Sequence, residues 1–219
     1  MSGEDRRQQI LDVAIRLFSQ KGFRGTTTKE IALAAGVNEA IIFRHFATKK
    51  ELYAAILDKK ACMIDEDSRH AETEEAMKQG DDRKALESIA FHILQSHERD
   101  DAFMRLLLYS ALEGHELAEM FYRTQITRYY RELADYFARR MEEGKLRRGD
   151  PMMAVRAFIG MVVYHAQMNK FYGRDLLNIS NQDAAERFTD MFLAGMTATE
   201  QESTGQPPRR SRRRRPELN

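Results

Sequence analysis

The sequence has little of what secreted or membrane-spanning chains use. Its 219 residues include one cysteine, Cys62, which excludes an internal disulfide and agrees with a reducing cytosol. Cys62 is either a small apolar residue on a helix or a redox-sensitive thiol. No run of about 18 apolar residues could span a bilayer, and the charged start lacks an apolar signal region. We therefore expect a cytoplasmic protein with no membrane partner.

Helix-breaking residues are also scarce, and charge is unevenly placed. Only 4 prolines and 12 glycines occur, mainly between segments of helical periodicity. The net charge is +1, yet residues 1–60 hold eleven Lys and Arg against seven Asp and Glu. Residues 206–219 hold six arginines and one glutamate, so the region between must be acidic. This segregation suits a chain that presents its amino-terminal part to phosphate.

Residues 23–49 encode two short helices joined by a glycine turn. Thr27 and Glu30 have the spacing of a reciprocal capping box at the start of the first helix. Gly36 supplies the left-handed residue that ends it, and Asn38 can cap the second helix. Ile42 and Phe46 lie four apart and face inward, which turns the other side of this helix toward a groove. The pattern predicts a helix-turn-helix DNA-reading unit.

The helices on either side of this unit support it. An apolar stripe at i, i+3, i+4, i+7 and i+8 predicts a preceding helix that ends at Lys21-Gly22. Thr48 is expected to cap a fourth helix that extends past Cys62 toward Gly80, although the polar residues along the way also suit a loop. The first stripe comprises Ile10, Val13, Ala14, Leu17 and Phe18.

This stretch resembles the DNA-binding domain of the tetracycline-repressor (TetR) family of bacterial transcription regulators. The resemblance covers roughly the first 57 residues, and many spaced positions agree at once. The matching pieces are Ile10-Leu11-x-x-Ala14-x-x-Leu17-Phe18, Gly22-Phe23-x-x-Thr26-Thr27, Ile31-Ala32-x-x-Ala35-Gly36-Val37, Phe43-x-His45-Phe46 and Lys49-x-x-Leu52.

Carried over position by position, the resemblance implies DNA contacts from the second, third and fourth helices. These positions are Thr28, Lys29, Glu39, Ala40, Phe43, Arg44, His45 and Lys49. The family usually has tyrosine where Phe43 stands and often lysine where Glu39 stands. A carboxylate there repels phosphate unless it accepts from a cytosine amino group, so the operator sequence does not follow by analogy. The plain alternative for Arg44, His45 and Lys49 is a solvated surface, or for His45 a bond that serves the fold.

The rest of the chain predicts an all-α protein of about nine helices. Asp150-Pro151 is an efficient helix start, and residues 157–164 are apolar all round, so that helix needs neighbours on both faces. The resemblance implies that the last two helices pair with those of a second subunit in a homodimer. The expected interface residues are Ala157, Gly160, Tyr164, Ala184, Phe188, Met191, Phe192 and Gly195.

The middle of the chain matches the family's effector domain in layout. Its aromatic and sulfur-containing residues suit a flat or oily ligand, although the same residues fill ordinary cores. His165 and Tyr129 are the polar candidates, His165 being equally compatible with a satisfied core histidine. The expected ligand contacts are Phe91, Phe103, Leu107, Tyr129, Phe158, Val162 and His165.

Catalysis has little support in the sequence. His115-Glu116 lacks the second histidine of a metalloprotease helix, and no glycine-rich phosphate loop occurs. We therefore expect no enzyme, no cofactor and no metal. The predicted parts are a DNA-binding domain at 1–48, an effector-binding and dimerisation domain at 49–198, and a disordered arginine-rich tail at 199–219.

Taken together, these features predict a homodimeric repressor that binds a palindromic operator and is released by a small apolar or aromatic effector. One alternative is an architectural DNA binder that uses the helix-turn-helix unit and the arginine-rich tail without an effector. Another is a sensor controlled by a protein partner. An empty pocket with weak sequence preference would favour the architectural reading.

Overall fold

The structure is a computed structural model that describes residues 2–65, 69–99, 101–114, 119, 121–173 and 177–198. Within these residues it is all-α, with one isolated bridge between Leu146 and Thr197 in place of any sheet. The predicted fold class is thus confirmed. The tail from residue 199, predicted to be disordered, lies outside the described residues, as does the side chain of Cys62.

Four helices come first. They are α1 (Gly3–Lys21), α2 (Thr28–Ala34), α3 (Glu39–His45) and α4 (Lys49–Asp65). Helix α1 begins with a capping box between Ser2 and Asp5 and ends at Gly22, whose φ of 72° is one that a side chain rarely adopts.

Six further helices follow, so the described residues hold ten where about nine were predicted. They are α5 (Arg69–Gln79), α6 (Asp82–Arg99), α7 (Asp101–Leu112), α8 (Thr127–Glu142), α9 (Pro151–Tyr172) and α10 (Asn181–Met196), with a π-helical segment at Tyr122–Ile126 directly before α8. The difference arises because the helix predicted to extend toward Gly80 is described as two helices, α4 and α5. Asp150 caps α9 by accepting from the amides of Met152 and Met153, and Pro151 follows as predicted.

The buried side chains form two clusters. The first cluster unites α1 to α4 with two residues from later in the chain, Leu106 and Phe121. The second fills the space between α6, α8, α9 and α10 around Phe137, Phe158 and Phe192. We refer to residues 2–57 as the head and to residues 69–198 as the body. The start of α4 shares the core of α1 to α3, and the predicted boundary at residue 49 remains a prediction.

A partly buried ion pair holds the start of α6 against α8. The Arg140 guanidinium donates from Nε and Nη2 to the two carboxylate oxygens of Asp82 at 2.7 and 2.9 Å, and also to the Gly80 carbonyl at 3.0 Å. The two side chains are only 12% and 18% exposed, so this pair is shielded from water far more than a surface ion pair. Tyr136 donates to the same carboxylate.

No helix in the described part of the chain is both long enough and apolar enough to cross a membrane.

Candidate nucleic-acid interface

Helices α2 and α3 meet at the predicted glycine turn. Thr27 and Glu30 form the predicted capping box, and Lys21 donates to the Glu30 carboxylate at 2.7 Å. The bond to Lys21 and those to Thr27 lower the pKa of Glu30 to about 2. Gly36 has φ 65°, and the Asn38 side chain accepts from the amide of Ile41 at 3.0 Å. The local capping predictions are confirmed.

One side of the unit is buried and the other faces out. Ile31, Ala32, Ile42 and Phe46 are at most 3% exposed and belong to the first cluster. Across the outer side of α3, Ala40 and Arg44 are exposed. The geometry therefore leaves a full helix face free to approach a groove.

The predicted DNA-binding residues differ in how free they are. Arg44 and Lys29 are exposed and form no hydrogen bond or ion pair with any described residue. Phe43 is 47% exposed, whereas His45 is half-buried with its ring 6.4 Å from that of Phe46. Exposed cations without a partner among the described residues can bind phosphate without first breaking a contact.

Thr28 and Glu39 are bonded to each other. The Thr28 hydroxyl at the start of α2 donates to the carboxylate of Glu39 at the start of α3. The bond joins the amino-terminal ends of the two helices and holds the carboxylate at a position where the family often has lysine. The sequence predicted that each residue contacts DNA independently. In this structure their polar groups are hydrogen-bonded to each other.

Lys49 is likewise engaged within the protein. Its ammonium donates to the Thr26 carbonyl at 2.7 Å and lies 4.1 Å from the centre of the Phe23 ring. Desolvation lowers the pKa of Lys49, with an opposing effect from the charge of Glu113. An ammonium has further donors to offer, but the first contacts of Lys49 fasten α4 to the turn between α1 and α2.

The structure adds a group of polar residues that the sequence analysis did not identify. Helix α7 of the body presents Arg105, Tyr109 and Glu113 to the end of α1 and the following turn. Nearby, the Tyr53 hydroxyl donates to the Leu106 carbonyl at 3.2 Å. The four-residue spacing of these α7 residues marks one helix face, but their partners lie about ninety positions away, beyond the reach of a local pattern.

The predicted ligand residues do not line one space. Phe103 and Leu107 lie on α7 against the first cluster, whereas Phe91, Tyr129, Phe158, Val162 and His165 belong to or border the body. Phe158 and Val162 are fully buried in the second cluster. Burial raises the pKa of Tyr129. The Asn169 amide donates to Nε2 of His165 at 3.0 Å, which satisfies that nitrogen.

A cavity of about 160 Å³ lies beside His165, between the ends of α6 and α9 and the start of α10. Its walls combine Leu94 and Ala166 with the polar residues His97, Glu98, Asn169, Lys170 and Asn181. His97 donates through Nδ1 to the Ile93 carbonyl at 2.7 Å, and burial lowers its pKa. The cavity is smaller than the roughly 300 Å³ at which drug-sized ligands are usually enclosed.

The predicted interface residues divide into two groups. Ala184 and Phe192 are buried in the body's own core, and Phe188 packs against the His165 ring at 5.3 Å. The other five are exposed, Tyr164 at 64% and Met191 at 57%. These five, which we call the open stripe, are Ala157, Gly160, Tyr164, Met191 and Gly195.

Comparison with known proteins gives two family matches. The model of bacterial regulatory proteins of the tetR family matches residues 10–56. The model of the C-terminal domain of AefR-like transcriptional repressors matches residues 84–195, which is half of the chain. Both descriptions are of transcription regulators and not of enzymes, which agrees with the prediction from sequence.

Individual proteins give weaker but consistent likenesses. The HTH-type transcriptional regulator AcrR of Shigella flexneri is 38% identical over 119 residues, 52% of this chain and 54% of AcrR, so only about half of that protein is matched. The nucleoid occlusion factor SlmA of Haemophilus ducreyi is 26% identical over 165 residues, 74% of this chain and 77% of SlmA. AibR in complex with isovaleryl coenzyme A and operator DNA has a TM-score of 0.66 at 22% identity, covering 85% of this chain and 97% of AibR, which is a likeness of fold.

Proposed function

Since the chain belongs to the tetR family of bacterial regulatory proteins, we propose that it is a homodimeric repressor that binds a palindromic operator and is released by a small molecule. The observation that carries the DNA-binding part is the exposed outer side of α3, where Arg44 has no hydrogen bond or ion pair within the described part of the chain. A guanidinium presented in this way can reach a guanine edge or a phosphate without breaking any bond. Lys29 supplies a second free cation on α2.

The open stripe supports the dimer. Its residues lie on α9 and α10, side by side in the body, and large apolar side chains such as Tyr164 are left to solvent in the single chain. Gly160 and Gly195 have no atom within 4 Å of the place where a Cβ would stand, so a neighbouring helix can come close. Exposed apolar and small residues on two helices in contact favour a helical partner, and a two-fold axis would bring the same residues of a second copy against them.

The body cavity supports release by a ligand. Helix α6 ends at Arg99 beside the cavity, and α7, which begins at Asp101, packs on α1 of the head. A ligand larger than the cavity must displace α6 or α9, and α7 would transmit that displacement. Such a switch works only if the ligand prefers the displaced form. AibR, crystallised with an acyl coenzyme A and operator DNA, makes acyl thioesters reasonable first compounds to test.

A second function retains some support. The likeness to SlmA, a nucleoid occlusion factor, and the arginine-rich sequence at 209–215 favour a DNA-binding protein that acts without a small molecule. Under that proposal the protein would bind many sites with modest preference, and salt would weaken the binding strongly.

Selection of binding sites from random duplexes by the purified full-length chain separates the two proposals. We expect one enriched palindrome whose half-sites lie about one helical turn or a multiple of it apart. Fluorescence anisotropy on that duplex, titrated with acyl coenzyme A thioesters and with free aromatic acids, then tests release. Coenzyme A alone is the control. Enrichment of no sequence above random would contradict the repressor proposal and favour the second function.

A further inference from the structure

Three polar side chains, two on one face of α7 and that of Glu113 directly after its end, contact the junction between α1 and α2. Arg105 Nε donates to the Ser19 carbonyl at 3.3 Å, and the Tyr109 hydroxyl donates to the Gln20 carbonyl at 3.4 Å. The Glu113 carboxylate accepts from the amide of Phe23 at 3.1 Å and from that of Arg24 at 3.3 Å. We call Arg105, Tyr109 and Glu113 the docking ladder.

The ladder satisfies backbone groups that α1 leaves open. Ser19 and Gln20 lie in the last turn of α1, where the backbone carbonyls receive no hydrogen bond from an amide of the same helix. The amides of Phe23 and Arg24 follow that end and point at the Glu113 carboxylate. The match is directional, because Arg105 and Tyr109 each donate to one carbonyl and Glu113 accepts from two neighbouring amides, all at fixed places on the other element.

The absence of a side chain at Gly22 allows the Glu113 carboxylate to approach the turn closely. A Cβ built on Gly22 would stand 2.3 Å from Oε1 of Glu113, well inside contact distance. Glycine therefore meets two requirements at this position: it leaves room for the Glu113 carboxylate, and it adopts the positive φ of the turn. Any larger residue would force the carboxylate away from the two amides.

The apolar contacts around the ladder do not fix an angle by themselves. Leu106 and Phe121 enter the first cluster, and the hydrophobic driving force that buries them is non-directional and roughly proportional to the apolar area removed from water. Tyr53 adds one buried polar contact, donating to the Leu106 carbonyl and meeting the Ser110 hydroxyl. Burial raises the pKa of Tyr53 to about 12, so its hydroxyl keeps its proton at neutral pH.

From this arrangement we infer that the docking ladder sets the angle of the head on the body, and thereby which half-site spacing the protein accepts. Arg105, Tyr109 and Glu113 are positioning residues, because their contacts are with the backbone of the head. The inference rests on the proposed binding of a palindrome by a dimer. In such a dimer the two recognition helices must match both the distance and the rotation of their grooves.

One added base pair between the half-sites moves the second site by about 3.4 Å and rotates it by about 35°. A head held at one angle meets such a site only if the DNA or the protein is deformed. A head free to swivel would accept it more readily. The ladder therefore predicts a loss of spacing discrimination, and not of half-site affinity, when its rungs are removed.

Glu113→Gln and Tyr109→Phe test this with small changes, and Glu142→Gln, on an exposed residue of α8, is the matched charge control. Each variant is titrated against the selected operator, the same operator with one base pair inserted at its centre, and an isolated half-site. In the wild type we expect the insertion to weaken binding by at least about tenfold. In the ladder variants that ratio should shrink at least about threefold, while half-site binding stays within about twofold.

A hydrogen-exchange measurement on the protein without DNA accompanies these titrations. Hydrogen exchange at the Phe23 and Arg24 amides should quicken about tenfold in Glu113→Gln and stay unchanged in the control, with the Ile31 amide, bonded to Thr27 inside the head, as internal reference. Circular dichroism and thermal unfolding check that the variants fold.

Each outcome has one meaning. If amide exchange is faster in the variant but the ratio of affinities for the two operators is unaltered, the inference is overturned. The ladder contacts would then exist without setting the angle of the head. Unaltered exchange overturns it as well, since the rungs would not form in solution. A wild type that selects no two-part site overturns the proposed function and the spacing role with it, whatever the amides show.

Discussion

Replacing Glu39 with glutamine changes one charge at the first residue of the recognition helix. The carboxylate accepts from the Thr28 hydroxyl and stands in the first turn of α3, where a negative charge interacts favourably with the helix dipole. In the proposed complex with DNA, the same carboxylate lies on the side of the head that approaches phosphate. The substitution should therefore have opposite effects on the stability of the head and on DNA binding.

The two effects are of similar size. Glutamine keeps an acceptor for Thr28 but loses charge assistance, and it loses the dipole contribution of roughly 0.3–1 kcal/mol. We expect the free energy of unfolding to fall by about 1 kcal/mol. Against DNA, a carboxylate about 8 Å from a phosphate at an effective dielectric constant of about 40 to 80 is repelled by about 0.5–1 kcal/mol. Removing it should raise affinity roughly two- to fivefold.

Urea denaturation measures the first effect, and anisotropy titrations on the operator and on a random duplex measure the second. The gain in affinity should appear on both duplexes and shrink at high salt. Thr28→Val is the control, because it removes the same hydrogen bond while keeping the charge, and it should destabilise without any gain. A loss of operator affinity in Glu39→Gln, with random binding unchanged, would refute this reasoning and assign Glu39 to a cytosine amino group.

Four further outcomes follow from the described contacts. Arg44→Ala should cost about 1–3 kcal/mol on the operator only, whereas Lys29→Ala should weaken all duplexes and lower the salt slope by about one in titrations from low to high salt. Gly160→Arg should give a folded monomer in sedimentation, since the added side chain has open space in the single chain but not in a subunit seam. Arg140→Leu should lower the free energy of unfolding by about 2–4 kcal/mol in urea, because it leaves a largely buried carboxylate unpaired. The Glu30 capping box should contribute fully above pH 4.5 and be lost as the pH falls through about 2, which the Thr27 amide shift in an NMR titration will report.

The controls for these outcomes use the same chain. Gly149→Arg also meets no atom within 4 Å and lies outside the open stripe, so it should leave the dimer intact. Lys78→Leu breaks an exposed pair with Glu74 and should change stability by less than about 0.5 kcal/mol. A dimeric Gly160→Arg, or an Arg140→Leu no weaker than Lys78→Leu, would contradict the corresponding argument.

What the sequence predicted well is local in the chain. The box of Thr27 and Glu30, the left-handed Gly36 and the cap at Asn38 each involve residues at most three apart. Their geometry depends on backbone conformations that a few residues decide among themselves. Pro151 at the start of α9 belongs to the same class.

What the sequence could not predict depends on how helices cross. The bond from Thr28 to Glu39 requires the angle between α2 and α3, and the contact from Lys49 to the Thr26 carbonyl closes a gap of 23 positions. Thr28, Glu39 and Lys49 were all assigned to DNA from family position alone, and an assignment of this kind carries no information on competing partners within the protein. The roles of these residues toward DNA remain predictions.

Periodicity also cannot say which neighbour covers a stripe. The apolar positions of α10 predicted a buried face, and Ala184 and Phe192 are buried, but inside the body. Met191 and Gly195, on another side of the same helix, are exposed. Likewise the aromatic residues proposed for a ligand site are divided between two clusters, because composition does not record position in space.

The bridge between Leu146 and Thr197 fixes the position of the residues that follow α10. Arg147 donates its amide to the Met196 carbonyl at 2.7 Å, and Ala198 donates to the Lys145 carbonyl at 3.2 Å, which clamps the end of α10 to the turn after α8. That turn lies near the start of α6. The head contacts the body through α7, which follows the other end of α6. With 18 residues in α6, the two ends are about 27 Å apart. The last described residues therefore lie at the end of the body away from the recognition helices, and the sequence that follows them, which includes the arginines at 209–215, starts about that length from the head.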